Sequence, residues 1–291
     1  MSFAISTVLH NSSSELRALL ASIDAHLEPR PQVVCVDSGS TDDGAEVARS
    51  WGAEVVVMAG NPGYGAANNA AVELINEAVT VLLNPDALLI DDSLSRLAEI
   101  AAGRRALLAP KLLNDDRTLQ DSAHPLPGGR DGYLAALTVP RLLPARLRNR
   151  LQPFRASDPV EVGWAIGACI AAPTALLREL GPFNAGDFLF AEDLDLCLRA
   201  RAQGAPTIFD PSVAVVHSGA HTSQGALDQQ RLELQASRRR EVIGRQLGAH
   251  ALRRDDRTQA LTFKLRAAAG HHSKRNRMLL AALRRAQNRS S

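Results

Sequence analysis

The sequence predicts an α/β protein. Its core is a mostly parallel sheet covered by helices on both faces, and a helical, basic C-terminal extension follows. Three observations carry this. Before residue 84, short β-branched or apolar runs alternate four times with longer runs of helical spacing. The fourth short run, Thr80 to Leu83, lacks polar alternation, as a strand buried on both faces should. After Gly225 the pattern is helical and Arg-rich to the end.

The elements follow in order. Phe3 to Leu9 is strand one, and His10-Asn11-Ser12-Ser13-Ser14 is a polar turn. Ser13 or Ser14 can cap a helix bearing Leu16, Leu19, Leu20 and Ile23 at helical spacing. Gln32 to Val36 is strand two, behind Pro29 and Pro31. Asp42 to Trp51 is a helix ended by Gly52, with Ser40, Thr41 or Asp42 available to cap it, and Glu54 to Met58 is strand three. The turn Asn61-Pro62-Gly63-Tyr64-Gly65 leads into a helix from about Ala66 to Glu77. Ser93 to Ala102 is helical, and Leu107 to Lys111 is a strand. Residues 114–158, rich in Pro, Gly and Arg, carry no readable period. Order returns at Val160 to Trp164 and Ile166 to Ala172, then a helix from Pro173 to Leu180. A helix opens at Glu192, with Leu194, Cys197 and Leu198 on its core stripe, and Ala205 to Phe209 and Ser212 to Val216 are late strands.

Composition bounds the function. The 291 residues are 45% hydrophobic, which excludes global disorder. The net charge of +2 selects no partner by itself, and only 4% aromatics argue against a nucleic-acid binder. The 3 cysteines, Cys35, Cys169 and Cys197, sit in apolar contexts and read as reduced core residues. No apolar stretch is long enough to span a membrane and no leader pattern opens the chain, so a cytoplasmic protein is expected.

In a parallel sheet, ligands bind beyond the carboxyl ends of the strands. Asp37, Asn61 and Asp86 all fall just past such ends. Asp37 can accept from a ribose or base, although a helix cap is the competing reading for its loop. Gly63 and Gly65 permit close approach of backbone to an anion, and Asn68 and Asn69 are costly so early in a helix. In Asn84-Pro85-Asp86, Pro85 ends the pairing and projects a carboxylate able to hold a hard cation, or simply a turn. Glu192, Asp193 and Asp195 crowd three carboxylates into four residues, which raises the pKa of one and suits a general base; acids complementing the helix dipole are the alternative. His217 is a metal ligand or a structural His, and His221 is a weaker ligand candidate.

Taken in order, Val36 to Asp42, Asn61 to Asn69, Leu83 to Asp86, Trp164 to Ala168, Gly181 to Asn184, Glu192 to Leu196 and His217 resemble the inverting family 2 glycosyltransferases of GT-A (Rossmann-like) fold, especially bacterial rhamnosyltransferase-like members. The likeness covers roughly residues 3–224. It implies a transferase domain over 1–224, with a nucleotide-binding part about 1–112, an acceptor part about 113–224, and the extension 225–291. It implies that Asp37, Ser38, Asn61, Gly65, Asn68, Asn84 and Asp86 meet the donor nucleotide. Asp86 and His217 would bind Mg²⁺ or Mn²⁺. Trp164, Gly167 and Asp195 would line the acceptor or donor-sugar site, and Asp193 would be the general base with Glu192 its rival. Asn84 stands where the family often has Asp, and Asn184 where relatives usually have Asp.

The expected reaction moves a sugar, rhamnose from dTDP-rhamnose by family likeness, from a nucleotide-diphosphate donor to a polysaccharide or polyprenyl-linked acceptor. A basic tail with Arg238-Arg239-Arg240, Lys274-Arg275 and Arg284-Arg285 would suit peripheral docking on the anionic inner face of the membrane, or merely form a solvated helical face. The competing functions are a nucleotidyltransferase, disfavoured by the turn after strand one, and a GT-A module that binds nucleotide without turnover.

Overall fold

A computed structural model describes residues 2–138, 142–181, 183–184, 190–219 and 228–289. His221, the 185–189 stretch following Asn184, and the 224/225 boundary lie outside the described residues.

The first half follows the expected alternation. Strands β1 (Ala4–Leu9), β2 (Gln32–Asp37), β3 (Glu54–Val57) and β4 (Val79–Leu83) alternate with helices α1 (Ser13–His26), α2 (Gly44–Trp51) and α3 (Tyr64–Leu74). They pair in parallel in the order β3-β2-β1-β4. The carboxyl ends of β1, β2 and β4 therefore open on one rim. The helices are seated by apolar stripes: Leu16, Leu19, Leu20 and Ile23 of α1 are all buried. Neither α1 nor α2 is capped by the serines or threonine beside it. Asp42 serves both, its carboxylate accepting from Ser13 N–H at 2.8 Å and Gly44 N–H at 3.2 Å.

The second half adds β5 (Ala87–Leu89), α4 (Ser93–Ala102), β6 (Leu107–Leu113), β7 (Ala123–His124), α5 (Asp131–Leu137), α6 (Ala145–Leu151), β8 (Val160–Val162), β9 (Trp164–Ala165), β10 (Cys169–Pro173), α7 (Thr174–Leu180), α8 (Glu192–Ala202) and β11 (Thr207–His217). The nine-stranded sheet continues β4-β10-β6-β11-β5, with β10 antiparallel and β11 parallel to β6. The two late strands expected from sequence are one bent strand. β11 runs through Pro211 with its register shifted between Asp210 and Ala214, and the Asp210 carboxylate accepts from Ser212 N–H at 2.9 Å across the bulge. The expected strand over Ile166 to Ala172 starts at Cys169, and Ile166 to Ala168 is a turn that becomes part of the site.

The three cysteines are free and buried. Burial pushes the Cys197 thiol up to about 11, so it stays protonated at neutral pH. No helix among the described residues is long and apolar enough to cross a membrane.

The C-terminal extension is a folded helical layer. The helical run Gln229–Ala268 breaks at Gly248 (φ 81°, ψ 170°). Arg239 and Arg240 pair with Asp255 and Asp256 at 2.9 and 3.1 Å. Partners sixteen residues apart on a straight helix would be separated by about 24 Å, so the chain reverses at Gly248. The final helix, Ser273–Arg289, lies along the first arm, where Arg285 reaches the buried Glu233. This corrects the reading of Arg238-Arg239-Arg240 as a free basic face. Arg238 pairs with Glu241, and the other two neutralise buried acids inside the extension. Lys274, Arg275 and Arg284 are exposed.

Candidate active site

A cavity of about 730 Å³ opens at the carboxyl ends of β1, β2 and β4. One wall is formed by the loops after β1, β2 and β3. Its loops are held by short polar contacts: His10 Nδ1 lies 2.9 Å from the Ser38 carbonyl, and Ser38 Oγ donates to Asn61 Oδ1 at 3.0 Å. Gly39, at φ 71°, brings these loops backbone to backbone, because a Cβ there would stand 2.7 Å from Gly60 C. His10, Ser38 and Asn61 line the cavity. Asp37 does not. It is 6% exposed at the rim, and its Oδ1 accepts from Ser40 N–H at 3.0 Å.

Two expected nucleotide contacts belong to the scaffold instead. Asn68 is buried, accepts from Ser6 Oγ at 2.9 Å and donates to the Tyr64 carbonyl at 3.1 Å, which ties α3 to β1. This is why an amide is tolerated so early in the helix. Gly65 faces Phe183, whose Cβ would sit 2.8 Å from an added methyl, so it serves helix packing.

Asp86 and His217 lie on the floor of the cavity. They are far apart in sequence, and the antiparallel register of β5 on β11, with Ala87 opposite His217, makes them neighbours. Asp86 Oδ1 is 3.4 Å from His217 Nε2. Asn84 stands beside them, its Nδ2 3.4 Å from the same Nε2 and its Oδ1 accepting from the Tyr64 hydroxyl at 3.1 Å. Among the described residues, no three His, Cys, Asp or Glu side chains gather where they could share a metal.

The opposite wall is the start of α8. Phe190 (φ 73°) and Ala191 (φ 66°) both adopt the left-handed conformation, unusual for residues with a Cβ, and turn the chain so that Glu192 and Asp193 face the cavity. Asp193 Oδ2 accepts from Gly167 N–H at 3.1 Å, and Oδ1 from its neighbour Leu194 N–H at 2.7 Å. Gly167 sits in the turn between β9 and β10, where an added Cβ would be 3.2 Å from Asp193 Cβ. Burial raises the Asp193 carboxyl above its ordinary range, outweighing these hydrogen bonds. Desolvation, rather than carboxylate crowding, is thus the leading cause.

Asp195 points the other way, away from the cavity lining. It is 1% exposed and receives Arg199 Nε at 2.7 Å, Arg245 Nη2 at 2.8 Å and Gln246 Nε2 at 2.8 Å. Burial pushes its carboxyl up, but the bonds from Arg245 and Arg199 outweigh that and hold it below its ordinary value. Its expected sugar-site role is replaced by a clamp between α8 and the extension. Trp164 likewise lies outside the lining. Its ring stacks on His124 with centroids 4.2 Å apart and packs under α8.

Besides His10, three further residues had no role assigned from sequence. Tyr64 orients Asn84. Gln120 accepts from or donates to His217 at Nδ1, 3.0 Å away. Arg231, from the first turns of the extension, lines the cavity with its guanidinium 5.4 Å from the Phe190 ring. Tyr64 stood inside a recognised motif, whereas Gln120 fell in the segment without a period.

A β-sheet rim, a carboxylate and imidazole on the floor, and a half-buried carboxylate opposite share one cavity. Residues 5–135 match the family described as Glycosyl transferase family 2. Those residues carry a family 2 glycosyltransferase match. The N-acetylglucosaminyl-diphospho-decaprenol L-rhamnosyltransferase of Mycobacterium tuberculosis is 26% identical over 236 residues, covering 74% of this chain and 76% of that protein. The rhamnosyltransferase WbbL of Escherichia coli is 23% identical over 225 residues, covering 75% of this chain and 83% of that one. Among solved structures, the mannosyltransferase PcManGT of Pyrobaculum calidifontis, in complex with GDP-Man and Mn²⁺, aligns at TM-score 0.63 and 17% identity over 98% of this chain and 85% of that one. At that identity the likeness establishes the architecture, which is the GT-A fold expected from the sequence. The matched stretch and helix α8 face one cavity.

Proposed function

We propose that this glycosyltransferase moves a sugar, with inversion, from a nucleotide-diphosphate donor to a polysaccharide or polyprenyl-linked acceptor. Rhamnose from dTDP-rhamnose is the favoured donor. The observation carrying the reading is Asp193, a cavity-facing carboxylate raised by burial and opposite Asp86 and His217. The likeness to two rhamnosyltransferases, one named for a decaprenyl diphosphate-linked acceptor, supports the choice of sugar and acceptor.

Asp193 accepts the proton of the acceptor hydroxyl as its oxygen forms a bond to the anomeric carbon, and the bond from that carbon to the diphosphate oxygen breaks. Gly167 N–H and Leu194 N–H hold the carboxylate in place through that change. His10, Ser38 and Asn61 face the nucleoside, with Asp37 bracing their loop. Arg231 offsets charge at the leaving diphosphate from the far side.

Asp86 and His217 fit a hard divalent cation, Mg²⁺ or Mn²⁺. A carboxylate oxygen and an imidazole nitrogen 3.4 Å apart are two electron-pair donors that would hold such a cation. Such ions take few protein ligands when diphosphate oxygens and water complete the shell. When bound, the ion would supply charge compensation for the departing diphosphate. Exposed Lys274, Arg275 and Arg284 leave docking on an anionic membrane surface as part of this proposal.

The test is thermal stability against dTDP, UDP, GDP and CMP, each with and without Mn²⁺, followed by turnover with the matching sugar donor. A ligand at 100 times its Kd adds about 2.7 kcal/mol to the folded state. A Mn²⁺-enhanced shift with dTDP, then dTDP release from dTDP-rhamnose, supports the reading. A shift without turnover on any donor or acceptor supports a nucleotide-binding module instead.

A further inference from the structure

We propose that Gln120 is a positioning residue that locks the tautomer of His217, keeping Nε2 as a lone pair aimed at the cation site. The inference rests on the reading that Asp86 and His217 hold a divalent cation.

The argument is one of hydrogen-bond polarity. A neutral imidazole carries its proton on one nitrogen, and the partner of the other decides which. Gln120 Oε1 lies 3.0 Å from His217 Nδ1, and its Nε2 donates to Asn114 Oδ1 at 3.1 Å and to the His217 carbonyl at 3.3 Å. Flipping this amide would set its oxygen against two oxygens.

The direction is fixed from further out. Thr118 Oγ1 donates to the Asp116 carboxylate at 2.5 Å, and that bond holds the Asp116 carboxyl below its ordinary value, so the acid is a pure acceptor. With its proton spent, Thr118 Oγ1 accepts from Asn114 Nδ2 at 2.9 Å. Asn114 Oδ1 is then free to accept from Gln120, and Gln120 Oε1 to accept from His217 Nδ1–H. Every group in the relay has one role, and its last member is the ring.

The far side of the ring agrees. The Tyr64 hydroxyl is nearer to Asn84 Oδ1, at 3.1 Å, than to the Gly167 carbonyl, at 3.3 Å, and with its proton on Asn84 the Nδ2 is the atom turned to His217 Nε2. Nε2 is therefore an acceptor, and it faces the Asp86 carboxylate. A lone pair beside a carboxylate suits a cation, whereas the other tautomer would put an N–H there. Partners of this kind set ring orientation and ligand basicity in metal sites.

The experiment compares wild type, Gln120→Leu, Gln120→Glu and His217→Ala. Glu at position 120 keeps an acceptor for Nδ1–H, whereas Leu keeps only bulk. Long-range ¹⁵N correlation spectra of histidine-labelled protein read the tautomer, with His217→Ala assigning the signal. Loss of free-Mn²⁺ resonance signal, in the presence of nucleoside diphosphate, reads cation affinity. Wild type is expected to show Nδ1–H. Gln120→Leu is expected to lose that tautomer and to bind Mn²⁺ about 10- to 100-fold more weakly, and Gln120→Glu, which keeps the acceptor for Nδ1–H but loses the donor to Asn114 and the His217 carbonyl, to retain Nδ1–H. Retention of Nδ1–H, or of Mn²⁺ affinity, in Gln120→Leu overturns the proposal. If His217→Ala also leaves Mn²⁺ affinity unchanged, the cation reading fails with it. If His217→Ala weakens binding and Gln120→Leu does not, only the role of Gln120 fails. Should Gln120→Leu not fold, a proton on Nε2 rather than Nδ1 in the wild-type spectrum serves as the overturning result.

Discussion

Replacing Asp193 by Asn tests the proposed chemistry most directly. Both carboxylate oxygens are held by backbone N–H groups, from Leu194 at 2.7 Å and Gly167 at 3.1 Å. An amide keeps one of these bonds and turns an NH₂ toward the other donor. Leaving one buried donor unsatisfied costs about 1–3 kcal/mol. The neutral amide also escapes the desolvation that raises the carboxyl, so the stability loss should fall at the lower end of that range. The kinetic loss should be larger. A positioned general base contributes about 10²–10⁴-fold, or about 3–5 kcal/mol of barrier. The assay is release of nucleoside diphosphate with acceptor present, beside nucleotide binding measured by calorimetry. Binding should persist, because His10, Ser38 and Asn61 lie on the opposite wall. Glu192→Gln, run in parallel, should keep most of the turnover. If folded Asp193→Asn turns over at close to the wild-type rate while Glu192→Gln is inactive, the base is Glu192 and the assignment made from burial is wrong.

Other outcomes follow from the same contacts. Because burial raises Asp193 and the base must be ionised to accept a proton, kcat/KM should climb with pH through an apparent pKa above the ordinary value of about 3.9; an acid limb at or below that value contradicts the argument. Asp195→Ala removes the partner of the largely buried Arg199 and should cost about 3 kcal/mol in chemical denaturation, at the low end for a broken buried pair because the 39% exposed Arg245 can rehydrate. Asp195 is held below its ordinary pKa, so its contribution is present above the unfolded-state pKa and disappears as pH falls through the folded one. A wild-type-like midpoint for Asp195→Ala at neutral pH would contradict the clamp. Gly65→Ala forces a methyl to 2.8 Å from Phe183 Cβ and should lose about 1–3 kcal/mol. Gly103→Ala meets nothing within 4 Å and should be neutral or gain up to about 1 kcal/mol, and melting curves of the pair decide whether close packing sets the difference.

The parallel half was readable because each of its strands and helices carries its own period and its own turn. Leu16, Leu19, Leu20 and Ile23 announce a buried face without reference to anything distant. The misreadings arose where the deciding partner is remote in sequence. Asn68 read as a costly helix residue and a nucleotide contact, yet its partner is Ser6. Asp195 looked like one member of a repelling cluster, yet Arg245 matches its charge. Arg239 and Arg240 looked like tail charge until the reversal at Gly248 brought back Asp255 and Asp256. Gln120 left no local trace, since its meaning depends on an imidazole brought to it by β11. Asp86 was singled out by its place past a strand end and His217 by its chemistry, and their adjacency came from strand register.

The clamp on Asp195 also has a consequence in time. During synthesis, the loops carrying His10, Ser38, Asn61 and Asp86 emerge from the ribosome first and can settle as one contiguous block. The helix bearing Asp193 comes later and still lacks its anchors, Arg245 and Gln246, until some fifty residues more have been added. A nascent chain arrested in that interval could hold a nucleotide without a steady base to use it. Maturation would then end with the docking of the last helices, and binding would arise before turnover.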